Sequence, residues 1–185
     1  MSATVTTASP TTAPDAPASR SVRLIRVAVL LIAGLAIAFS ATMHEQLGFD
    51  VAVVTASLAA IGVAHLIEAL SAGAAGRRAV PALLAVVAFV AAAALPFGGS
   101  TIAFAVAIAA WSLVSALLEF IGAAVRPGSR ADAPLLGGVG LLLAIVVLLA
   151  REDQVAVLGF FGAYAVIAGV FLGISAFDTR RDASK

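Results

Sequence analysis

The chain has 185 residues, 62% of them hydrophobic and 11% charged, where soluble domains carry about 45–50% apolar residues. So little polar surface excludes an ordinary soluble fold and points into a membrane. A net charge of +1 provides no basic stripe for phosphates and argues against nucleic acid as a partner. The absence of cysteine rules out disulfides, thiolate metal sites and catalytic thiols.

Residues 1–19, rich in Thr, Ala, Ser and Pro, read as a disordered tail without apolar periodicity. The stretch 20–178 reads as one membrane domain, followed by a short tail at 179–185. Six apolar runs divide the domain, at about 24–43, 51–71, 80–96, 101–124, 135–150 and 155–177. At 1.5 Å per residue such runs match a hydrocarbon layer of about 30 Å. The fifth is the shortest, pinned between Pro134 and Arg151-Glu152-Asp153. Strands of a membrane barrel would alternate apolar and polar residues, and none of the runs does. The expected fold is therefore all-α and polytopic, with six transmembrane helices.

The first run has a competing reading. Arg20, Arg23 and Arg26 precede an apolar stretch containing A36-I-A38, the form of a cleavable signal peptide. The arginines and the count of six spans favour a retained helix. With the N-terminus inside, the inner segments hold ten of the eleven Lys and Arg residues, leaving only Arg151 outside. That asymmetry predicts both termini on the cytoplasmic side. The connections are short, with no room for a soluble catalytic domain.

Spans two, four and six look alike. A shift of 51 residues places Leu66-Ile67-Glu68 on Leu117-Leu118-Glu119, and each motif runs through small residues into arginine. Span six ends similarly, with Ser175 near the position of the glutamates. The pattern predicts three helical hairpins, at about 24–71, 80–124 and 135–177.

The segments W111-S-L-V-S-A-L-L-E-F-I-G-A-A-V-R126 and G162-A-Y-A-V-I-A-G-V-F-L-G-I-S-A-F-D-T-R-R181 resemble the repeat signatures of HdeD-like membrane proteins. The resemblance spans about residues 24–181 and is best in the last two hairpins. It implies a six-helix protein of the bacterial inner membrane, linked to acid resistance and stress response. It implies no catalytic or ligand-binding residues.

The candidate site residues are His65, Glu68 and Glu119. His65 and Glu68 share a helix face at a spacing of three. A charge at the centre of a bilayer costs about 2.5–3.5 kcal/mol, less near the interface, and such groups are functional candidates. Two arrangements stay open. The glutamates pair with Arg77, Arg78 or Arg126, or they face each other inside the bundle and share a proton, with His65 as sensor or relay.

No cofactor is expected. The two histidines, His44 and His65, lie at opposite depths and cannot clamp one iron, and His65 with Glu68 supplies too few ligands for zinc. No serine sits in a nucleophile motif, so no catalytic residue is assigned and an enzyme is not expected. Ala165, Gly169 and Gly173 form a small-residue face on span six, suited to packing within the chain or to a second copy. The lipid bilayer is the one certain partner that this composition requires. Two functions follow: a non-enzymatic membrane protein contributing to acid or envelope stress tolerance, or a small transporter or channel for protons or a solute.

Overall fold

The computed structural model describes residues 20–44, 46–73, 75–125 and 132–177. The two tails assigned above, 1–19 and 179–185, lie outside the described residues. Six α-helices follow in order: α1 (Arg20–Phe39), α2 (Leu47–Ser71), α3 (Ala75–Ala94), α4 (Thr101–Val125), α5 (Asp132–Leu149) and α6 (Gln154–Phe177). Two single 3-10 turns, Ala41–Met43 and Leu95–Phe97, lead out of α1 and α3. No strand occurs among the described residues.

Each helix is a run rich in Ala, Leu, Val and Ile, and two of them start on a side-chain cap. Ser100 accepts from the Ala103 amide (3.2 Å) to start α4, and Asp153 accepts from the Ala156 amide (3.0 Å) to start α6. Gly99, at φ +63°, makes the left-handed turn before α4 that a side chain would resist. Hydroxyls inside the helices bond back to their own backbone. Ser57 donates to the Val53 carbonyl (2.8 Å) and Ser112 to that of Ala109 (3.1 Å).

Five of the helices are long and apolar enough to cross a membrane. The apolar part of α5, Ala133–Leu149, is shorter, as its bounding Pro134 and charged cluster foretold. Large apolar side chains point outward all round, among them Ile32, Leu35, Leu70, Val90, Leu149 and Ile174. Such a surface suits lipid and not water.

The helices form a ring, α1 to α6 in order, closed by α6 on α1. The closest pairings are α1 with α6, α2 with α3, and α4 with α5. Those pairings join successive hairpins, and the two helices within each hairpin touch less. Small residues explain the preference. Gly62 seats the Phe89 ring between α2 and α3, Gly137 seats Phe120 between α4 and α5, and Gly162 and Gly169 seat Ile37 and Leu31 between α6 and α1. Arg20 stacks over the Phe177 ring at 4.5 Å, fixing α1 antiparallel to α6. Phe104, Ile108, Leu58, Val54, Leu158 and Phe161, from α2, α4 and α6, fill the centre.

Two boundaries move from the sequence reading. Helix α2 begins at Leu47, ahead of the run read from residue 51, so Asp50 stands in its first turn, fully buried. Helix α3 begins at Ala75, so Pro81 lies inside it and not at its start.

Candidate functional site

The buried stripe of α1 runs Val22, Leu30, Ala33, Ile37. Arg26 lies on that stripe, four residues after Val22 and four before Leu30. Its side chain is therefore carried into the bundle, where a lone guanidinium would be costly. Two carboxylates meet it. Nη2 of Arg26 donates to Glu119 Oε1 of α4 at 2.5 Å, and Nη1 contacts Glu68 Oε2 of α2 at 3.5 Å. Three helices far apart in sequence converge on one planar cation, whose fork of donors is suited to holding two carboxylates.

His65 stands beside them on α2, almost fully buried. Its Nδ1 lies 3.8 Å from the same Oε2 of Glu68, beyond hydrogen-bond reach, and has no hydrogen-bond partner among the described residues. One oxygen of Glu68 thus sits between the Arg26 guanidinium and the His65 imidazole.

A cavity of about 20 Å³ opens against this group, lined among others by Arg26, His65, Trp111, Ser115, Glu119 and Tyr164. That is room for a single water, which needs roughly 10–15 Å³. The Trp111 indole N–H, on the cavity lining, has no hydrogen-bond partner among the described residues. The indole is fixed edge-on between Phe161 (5.6 Å) and Tyr164 (5.8 Å).

The glutamates are thus brought together by a third residue. The cation that joins them is Arg26, which the sequence reading counted only as a topology signal. Arg78, one of the arginines considered for that role, donates instead to the Ala72 carbonyl at 2.6 Å. Arg126 lies outside the described residues, as does the side chain of Arg77. The signal for Arg26 was its place on the α1 apolar stripe. Of the small-residue face, Ala165 is buried, and a side chain added at Gly169 would meet Leu31 of α1 at 2.9 Å. At Gly173 an added Cβ would touch Val27 at an ordinary 3.6 Å. This face packs on α1 of the same chain.

Compared with known proteins, the chain matches no family model, no curated protein and no solved structure.

Proposed function

We propose that this is a non-enzymatic, proton-responsive protein of the bacterial cell membrane, of the HdeD-like type, contributing to acid or envelope stress tolerance. In this reading all six helices span the bilayer as three hairpins, with both termini cytoplasmic. The ten-to-one distribution of Lys and Arg supports that orientation, and it puts the Arg26 cluster toward the cytoplasmic face.

The observation that carries the reading is the shared oxygen of Glu68, 3.5 Å from Arg26 and 3.8 Å from His65. Protonated His65 is a cation with a donor on Nδ1. It competes with Arg26 for that oxygen, while Arg26 keeps its shorter bond to Glu119. Acid then turns a contact between α1 and α2 into one within α2, and α1 loosens from the ring. A small rearrangement between two packed states is the usual form of a protonation switch. The small cavity supports sensing over the passage of a solute, because it accepts no more than water.

Survival after acid challenge tests the function. A deletion strain is complemented with wild type or with a Glu68→Gln, Glu119→Gln variant at matched membrane levels. The expected result is rescue by wild type alone. Equal rescue by both contradicts a role for the carboxylates, and rescue by neither contradicts the acid link itself. Proton or solute flux through sealed vesicles, expected to be absent, would favour a transporter if found.

A further inference from the structure

At the other end of the bundle a second buried acid–base pair joins the α1–α2 connection to the end of α1 and the first turn of α2. We propose that His44 and Asp50 form a second proton-binding site, loaded at neutral pH, which clamps that connection to the ring.

The inference rests on counting hydrogens. His44 Nδ1 lies 2.8 Å from Asp50 Oδ1, and His44 Nε2 lies 2.8 Å from the Ile37 backbone carbonyl. A carbonyl only accepts, so Nε2 carries a hydrogen. The contact with Asp50 is equally short and needs a hydrogen of its own. A neutral imidazole has one N–H. With an ionised Asp50, either neutral tautomer sets a lone pair against an acceptor. The pair therefore holds one proton more than a neutral imidazole beside a carboxylate. With that proton on Nδ1, both ring nitrogens donate, one into each 2.8 Å contact.

Burial adds to the demand. Asp50 is 0% exposed and its Oδ2 has no hydrogen-bond partner among the described residues, while His44 is 5% exposed. A carboxylate in that position without a cation beside it would be a buried, unpaired charge. The groups facing His44 come from three helices. The end of α1 supplies the Ile37 carbonyl and Ser40, whose hydroxyl lies 3.4 Å from Nε2 and donates to the Ala36 carbonyl at 2.7 Å. Helix α2 supplies Asp50 and the Phe49 ring at 5.9 Å. Helix α6 supplies Gln154, whose amide donates to the His44 carbonyl at 3.0 Å. Asp50 is the one ionisable group among these contacts. Glu45, next in the chain, lies outside the described residues.

This site is independent of the Arg26 cluster. Asp50 and Glu68 stand 18 residues apart on α2, about 27 Å along its axis. Buried Val54, Leu58 and Ile61 lie between them. The sign of the response is also opposite. Acid leaves the His44 clamp loaded. Alkali strips the proton, sets a lone pair against an acceptor, leaves Asp50 negative in a dry site, and loosens the imidazole ring from the ends of α1 and α2.

The test is ¹⁵N resonance of ring-labelled histidines in the full-length protein in bilayers. The expected spectrum at pH 7 contains one ring protonated on both nitrogens, which persists in His65→Gln. In Asp50→Asn the deprotonation midpoint of that ring falls by about one pH unit or more, a tenfold loss of proton affinity. A wild-type spectrum at pH 7 with no doubly protonated ring overturns the proposal without any variant. Loss of the doubly protonated signal in His65→Gln assigns it to the wrong histidine and also overturns it. An unchanged midpoint in Asp50→Asn removes the pairing with Asp50. If that variant does not fold, the wild-type titration decides alone.

Discussion

The two polar clusters occupy opposite ends of the same helices and are held in contrasting ways. At the Arg26 end, partners 42 and 93 residues away in sequence meet around one guanidinium. Its contact with Glu119 is short and that with Glu68 longer, and Glu68 Oε2 lies between the cation and a buried imidazole. At the His44 end the contacts to Asp50 and Ile37 span six and seven residues and both are 2.8 Å long, with Gln154 alone reaching in from afar. In the proposed switch the Arg26 cluster rearranges when a proton arrives. In the proposed second site the His44 pair has only a proton to lose. A membrane helix bundle tolerates both, because each buried charge has an opposite charge beside it.

The largest way to break this contrast is Arg26→Ala. It leaves two carboxylates in the bundle without the cation between them, a loss of about 3–5 kcal/mol. Thermal unfolding in detergent, followed by helical circular dichroism, is expected to show it, with Arg26→Lys milder. Adding Glu68→Gln and Glu119→Gln to the Arg26→Ala variant should recover part of the loss, since the uncompensated charge is gone.

A second substitution strikes the contact that carries both ends. A Cβ at Gly34 would meet Val166 Cγ2 at 2.6 Å and the Gly162 carbonyl at 2.9 Å. Gly34→Ala therefore pushes α1 off α6 and is expected to cost about 1–3 kcal/mol. Because α1 carries Arg26 and leads into His44, both clusters should weaken in that variant, as read by faster hydrogen exchange at each end.

The smaller tests separate the ends. Gln154→Ala removes one hydrogen bond to the His44 backbone, worth about 0.5–1.5 kcal/mol, and exchange should rise in the 40–50 connection while the Arg26 end stays protected. Ser40→Ala removes a hydroxyl already bonded to its own helix, and its effect on unfolding should stay within about 0.5 kcal/mol.

The difference between the ends also explains what could be read from the sequence. The helices were legible because apolar runs of this length have few alternatives. The short fifth run was legible because proline and a charged cluster bound it. Glu68 and Glu119 stood out as acids in apolar helices. Their partner did not, because an arginine near the start of a span reads first as an orientation signal. Only its register with Val22 and Leu30 marks it as inward. The His44–Asp50 pair left no periodic trace at all. It depends on a 3-10 turn after α1 and on α2 starting at Leu47, and boundaries of that kind are set by tertiary contacts. The preference of α1 for α6 over its own hairpin partner was equally hidden, since it depends on which glycine faces which side chain.

The most direct test of a proton switch at the Arg26 cluster is infrared difference spectroscopy of the reconstituted protein between pH 7 and pH 5, in wild type and in His65→Gln. The account predicts paired imidazole and carboxylate bands in wild type, as Glu68 moves from Arg26 to the protonated ring, and the loss of those bands in the variant. Identical difference spectra in the two proteins would contradict it.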